Sequence, residues 1–300
     1  MTIFARLLIM GLLAAPLFAV GANAAPPQPT PPTPQSRTYV SGTGSDSNAC
    51  TASSPCKTFS AALALTTAGG EIYALNSSNY GPVTINKAVT INGEGAAAGV
   101  LATSGTGITI NAGAADIVTL RGLDIDGAKT GSIGIQFNSG RSLNLQKSTV
   151  RNFANVGINF AGAGTLTVSD TLVLNNAGKG LAIASGSGSV VRVTASGNGV
   201  GILASGATAN VAVTDSVANN NNYGIAASAA ALMVRNSAIS SNAVGIVADQ
   251  AAMVRVGQST VTANGAGWQA TNAGQILSFG NNNLSGNTTD GIATTTVALQ

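Results

Sequence analysis

The chain has no histidine, two cysteines, and charge on only 8% of its 300 residues. Each scarcity closes a class of function. Without histidine, Cys50 and Cys56 lack the further ligands that a metal site would need. Removing Arg6 with the leader described below leaves 12 of the 13 basic residues against 10 acidic ones. That net charge of +2 is too small and too scattered for a nucleic-acid surface. A pI of 9.1 does not argue otherwise, because with so few titrating groups a small imbalance moves it far. Aromatics make up 4% of the chain, yet 45% is hydrophobic and 38 residues are glycine. This composition belongs to a β-rich chain of small residues, not to a disordered one. Beyond the leader, no apolar run is long enough to span a bilayer.

What is present is a repeat. A glycine followed by a large apolar residue occurs at Gly107, Gly134, Gly157, Gly180, Gly201, Gly224, Gly245, Gly267 and Gly291. The followers are Ile108, Ile135, Ile158, Leu181, Ile202, Ile225, Ile246, Trp268 and Ile292. After a first gap of 27, the spacing stays between 21 and 24 residues. Such a drift marks the turns of a stacked structure, with the slack taken up in loops.

Within a repeat the apolar residues alternate over short runs: Ile135 and Phe137, Leu143 and Leu145, then Val150. Period two over three to five residues is a strand. Three such runs, separated by Gly, Ser, Asn and Asp, leave no room for a helix. Each repeat is therefore a three-strand coil, and stacking places Ile135, Ile158, Leu181 and Ile202 in one inward column. A leucine-rich repeat has a similar period but needs a longer second arm and a fixed leucine pattern that are absent here.

The expected fold is all-β: a single-domain parallel β-helix of about ten coils, residues 79–300. Arg6, the apolar run Leu7–Val20, and Ala22 and Ala24 read as a secretory signal peptide over residues 1–24. Residues 25–37 form a proline-rich linker, a stiff spacer. Residues 38–78 form an N-terminal cap. Its isolated cysteine pair, six residues apart in an exported chain, reads as a disulfide loop, Cys50 to Cys56. Phe59, Ala62, Leu63 and Thr66 follow a helical spacing, with Thr58 or Ser60 as cap and Gly69–Gly70 as stop. This short helix covers the first coil, since open strand edges and an exposed core invite association.

These residues resemble the pectin-lyase-like, right-handed parallel β-helix superfamily. The run from Thr38 through Cys50, Cys56 and "GGEIYAL" to "GPVTINKAVTINGEG", "VTLRGLDIDG" and "LTVSDT" is similar to a group of secreted bacterial β-helix repeat proteins without settled activity. The resemblance covers most of the mature chain. It implies a polysaccharide as partner, from the cell envelope or outside the cell, and an exported location, periplasmic or extracellular. Polygalacturonase-like relatives carry a histidine and several aspartates on one face, which this chain lacks. Pectate-lyase-like relatives hold calcium with several acidic ligands near an arginine, and only Arg121, Asp124 and Asp126 imitate that set.

Asp124 and Asp126 are the only close carboxylate pair, two apart and so on one strand face. They are candidates for glycoside or lyase chemistry, or for calcium. The structural alternative comes from overlaying repeats, which sets Asp126 beside Arg151 and Lys147 beside Asp170, opposite charges on adjacent turns of a solvated face. Asn198, Asn221, Asn242 and Asn264 each stand three residues before a repeat glycine. They are read as a stacked asparagine ladder at a turn, because Asn tolerates left-handed backbone and its amide can bond to those above and below. Tyr223 is a candidate for stacking on a sugar ring. Trp268 takes an inward isoleucine place. The functional expectation is an exported glycan-binding or structural surface module, with a polysaccharide lyase or glycosidase at Asp124 and Asp126 as the alternative.

Overall fold

The computed structural model describes residues 33–298. The leader and residues 25–32 of the proline-rich linker lie outside the described residues. At each return of the glycine phrase a new strand lies parallel to its equivalent one turn earlier. Ile108, Ile135, Ile158, Leu181, Ile202, Ile225, Ile246 and Trp268 pair in that order. All are buried, so the core is a column of like residues.

Two further columns complete each turn. Leu120, Leu145, Val168 and Val190 pair along one sheet, and Ile125, Val150, Val173 and Ala195 along another. The result is a β-solenoid with parallel sheets of twelve, ten and nine strands. We number them sheet 1 (the Leu120 column, twelve strands), sheet 2 (Ile125, ten) and sheet 3 (Ile108, nine).

Sheet 3 gives about nine turns, fewer than the ten expected from the sequence. The discrepancy lies at Gly291–Ile292. Ile292 is 87% exposed and Gly291 adopts a left-handed φ of 76°, so the last copy of the phrase adds no strand to sheet 3 and leaves its isoleucine outside the inward column, although Thr289 still bridges to Ala266.

The repeat glycine is needed for close approach, not for a left-handed backbone. A Cβ on Gly157 would stand 2.7 Å from the carbonyl oxygen of Gly180 and 2.7 Å from the Asn176 amide nitrogen. Gly180, Gly201, Gly224 and Gly245 would meet the same obstruction from the next turn. Only glycine lets these turns stack.

The N-terminal end is closed by the expected helix, Phe59–Leu65, which buries Phe59, Ala62 and Leu63. Thr58 is its cap, with Oγ1 accepting from the Ala61 N–H at 3.1 Å. The helix stops at Leu65, short of the Gly69–Gly70 stop expected from the sequence, and a strand, Thr66–Ala74, begins at once and runs through both glycines. Winding also starts earlier than expected. Gln35–Val40, partly assigned to the linker, is a strand paired to Thr66–Ala74. Its outer edge is covered by the disulfide loop: the Tyr39 N–H donates to Cys50 O, and the Cys56 N–H donates to Tyr39 O. An edge strand is thereby paired instead of left open.

Two polar ladders run along the corners that flank sheet 2. In the asparagine ladder, Oδ1 of Asn242 accepts from both the N–H (2.9 Å) and the Nδ2 (3.0 Å) of Asn221. Nδ2 of Asn242 then donates to Asn264 Oδ1 at 2.9 Å and to Ala218 O at 3.0 Å. The same pattern links Asn176, Asn198 and Asn221, and continues from Asn264 to Asn287. The ladder residues themselves are not left-handed. That conformation belongs to the residue before each: Asn175, Gly197, Asn220, Ser241 and Ala263.

The second ladder is made of buried hydroxyls. Ser148, Thr171, Ser216, Ser237 and Ser259 are each at most 4% exposed. Each hydroxyl accepts the N–H of the equivalent residue one turn earlier, as Ser259 Oγ does from Ser237 at 3.2 Å. Each donates in turn to the carbonyl two residues before it. Here too the preceding residue is left-handed: Lys147, Asp170, Asp215, Asn236 and Gln258.

Candidate functional site

Asp124 and Asp126 point outward from the strand Leu123–Asp126 of sheet 2, and Arg151 stands opposite Asp126 on the next turn. Arg151 Nε and Nη2 each lie 2.9 Å from an oxygen of Asp124, and Nη1 lies 2.7 Å from Asp126 Oδ2. The remaining oxygen, Asp126 Oδ1, accepts from the Ala128 N–H and from Asn152 Nδ2. All four carboxylate oxygens are therefore occupied. The Asp124 hydrogen bond holds the Arg151 guanidinium above its ordinary pKa, which keeps the pair of carboxylates compensated.

Arg121 is not part of this group. Its Nε lies 2.7 Å from Glu94 Oε2, and Lys147 Nζ lies 2.8 Å from Glu94 Oε1. Lys147 thus reaches back two turns to Glu94 and makes no ion pair with Asp170, which stands beside it on the next turn. Asp170 is taken by Arg192, at 2.6 and 2.9 Å. Lys147 chiefly, with Arg121, lowers the pKa of Glu94, and Arg192 lowers that of Asp170. Among the described residues, no three His, Cys, Asp or Glu side chains gather as a metal site.

The outer face of sheet 3 has a different character. One outward column reads Thr84, Thr109, Gln136, Asn159, Ala182, Leu203, Ala226, Val247 and Gln269. Its first half is polar, and amides link Asn159 to Gln136, Gln136 to Asn138 and Asn138 to Asn111. Its second half is apolar. Beside it runs a column of Val156, Lys179, Val200, Tyr223 and Val244, and on the opposite side lie Ser205, Ser228 and Asp249.

Tyr223, 43% exposed, therefore flanks a shallow depression of about 530 Å³. Leu203, Ala226 and Val247 line it, together with Asp249, Gln269, Thr271 and Asn272. Asp249 Oδ1 accepts from Asn272 Nδ2 at 2.7 Å and from Thr271 Oγ1 at 2.8 Å. These bonds hold the Asp249 carboxyl below its ordinary pKa, so it stays ionised.

A second hollow, about 560 Å³, lies on sheet 1 between Met233, Arg235, Gln258 and Phe279, with Arg235 Nε donating to Gln258 Oε1 at 2.8 Å. Trp268 points into the core, 6% exposed, and its indole N–H finds no partner among the described residues. Among those residues no helix is long and apolar enough to cross a membrane.

Three stacked sheets, a capped first turn and two internal ladders define a parallel β-helix protein. The chain belongs to the family described as "Right handed beta helix region", whose pattern matches residues 58–218. No curated protein matches the chain. Solved structures share its fold. Pectate lyase Pel9A superposes with a TM-score of 0.54 at 16% identity, covering 82% of this chain and 68% of that one. A rhamnogalacturonan lyase gives 0.54 at 14%, covering 80% and 75%. The A-module of the mannuronan C-5 epimerase AlgE4 from Azotobacter vinelandii gives 0.51 at 12%, covering 77% and 91%. At these identities the likeness is one of fold.

Proposed function

We propose that the protein is an exported glycan-binding module that holds a polysaccharide on the outer face of sheet 3, around Tyr223, without cleaving it. The observation that carries this reading is the depression itself, where an exposed tyrosine and an apolar floor face a wall of Asp249, Gln269, Thr271 and Asn272. Sugar rings have an apolar C–H face and a polar rim, and such a surface matches both. The similar folds include two lyases and an epimerase named for polysaccharides, which supports a carbohydrate ligand. The leader at residues 1–24 and the Cys50–Cys56 disulfide support export to the periplasm or beyond.

The enzymatic alternative rests on Asp124 and Asp126. A general acid or base must exchange a proton with the substrate, and a calcium ligand must offer free oxygens. Arg151 engages three of the four, and Asn152 with the Ala128 N–H the last, so a proton or a calcium ion would have to compete with these partners. Co-sedimentation with a panel of insoluble polysaccharides, assayed together for ultraviolet-absorbing products and new reducing ends, separates the two. Retention without product is expected. Turnover that disappears in both Asp124→Asn and Asp126→Asn overturns the proposal and establishes the enzyme.

A further inference from the structure

The face around Tyr223 carries a charge pattern and a direction. Of the outward residues in its three columns, only Lys179 and Asp249 are charged. No arginine stands in them to receive a carboxylate. A polymer of acidic sugars would set its charges against the ionised Asp249; the one cation of these columns, Lys179, stands three turns away on the opposite side and does not compensate there, and such like-charge contacts are unfavourable.

The direction follows from the columns. Leu203, Ala226, Val247 and Gln269 succeed one another along the solenoid axis, with Tyr223 on one side and Asp249 on the other. Successive turns are spaced by about 4.8 Å, close to the advance of one ring in an extended sugar chain. A strand-wise path would leave the floor within a few residues, whereas an axial path keeps it throughout.

Asp249 is set up as an acceptor. Thr271 and Asn272 both donate to Oδ1, which fixes the carboxylate. The Gln250 backbone also bonds to the carboxylate, and no side chain among the described residues reaches Oδ2. Hydrogen bonds from hydroxyls to an oriented carboxylate are charge-assisted and among the stronger ones available.

Resting on the reading of this face as a glycan surface, we infer that its ligand is an uncharged polysaccharide lying along the solenoid axis, with Asp249 accepting hydrogen bonds from neighbouring hydroxyls of one sugar ring. Affinity electrophoresis tests this, with the full mature chain run through gels holding a soluble neutral polymer (hydroxyethylcellulose, galactomannan or xyloglucan) or an acidic one (polygalacturonate or alginate). Retardation by at least one neutral polymer and by neither acidic one is expected. Asp249→Asn should reduce the affinity about tenfold or more, the loss of one charged hydrogen bond. Where that variant fails to fold, Thr271→Val, which removes one of the two bonds orienting the carboxylate, should also weaken binding. Retardation by an acidic polymer alone leaves the glycan reading intact and overturns the inference. No retardation in any gel overturns both. Neutral binding that survives unchanged in folded Asp249→Asn overturns the role given to Asp249.

Discussion

Arg151, one turn beyond Asp124, closes a two-point bond on it, Nε to Oδ1 and Nη2 to Oδ2, both at 2.9 Å. The third guanidinium nitrogen meets Asp126. One arginine thus bonds to both Asp124 and Asp126, a cross-turn clamp. Asp126→Asn should cost about 0–1 kcal/mol, because the group is partly solvated and an amide retains some of its bonds. Calcium should leave the melting temperature of the parent unchanged. A calcium-dependent rise that both Asp124→Asn and Asp126→Asn abolish would show a metal site instead.

Asn242→Ala removes the acceptor of two Asn221 hydrogen bonds and the donor to Ala218 O and Asn264 Oδ1. Asn242 is 4% exposed, so water does not replace them. Each buried group left unpaired costs about 1–3 kcal/mol. Denaturant unfolding should show a loss of at least about 2 kcal/mol, and an unchanged midpoint contradicts the ladder's role.

Much of this fold is legible in the sequence because a solenoid stacks like on like. Gly157, Gly180 and Gly201 announce the turns, and overlaying Leu120 on Leu145 puts Asp126 beside Arg151. What is harder to read lies at the corners. Ser148 and Ser237 look like ordinary loop residues; only their recurrence one residue after Lys147 and Asn236, and two before Val150 and Ile239, marks an inward rung. Asn176 stands four residues before its glycine, not three, so a count from glycine passes over it. Overlaying the turns places Lys147 beside Asp170, as the register has it, but does not tell which acid its ammonium bridges: that is Glu94, two turns back, while Arg192 takes Asp170. Ile292 shares the repeat's spelling without its stacking, since Gly291 leaves the strand conformation.

The hydroxyl ladder is interrupted at Val193, which is fully buried between Thr171 and Ser216. A threonine there keeps the branched shape. Its hydroxyl would accept from the Thr171 N–H and donate to the Val191 carbonyl, as its neighbours do. Val193→Thr should therefore raise stability by about 0.5–1.5 kcal/mol, the net worth of a typical hydrogen bond. Destabilisation on thermal melting would show that the ladder does not extend through this turn.

Glu94 and Asp170 titrate below their ordinary values of 4.5 and 3.8, through Lys147 and Arg192 respectively. A depressed carboxylate contributes stability that is fully present above its unfolded pKa and is lost as the pH falls through the folded one. The melting temperature should hold from pH 7 to about 5 and decline below about 4.5. Lys147→Gln should lower it slightly at pH 7, with the gap to the parent narrowing in acid. A gap that widens in acid contradicts the pairing with Glu94.

The central claim is that the sheet 3 face, and not the clamp at Arg151, meets the ligand. The most direct measurement is calorimetric titration of the parent, Tyr223→Ala and Asp124→Asn with a polysaccharide that the parent retains. Truncating an aromatic anchor at a binding surface costs about 2 kcal/mol or more, some thirtyfold in affinity. The account predicts that loss for Tyr223→Ala and parental affinity for Asp124→Asn. Unchanged binding in Tyr223→Ala, with binding lost in Asp124→Asn, would contradict it.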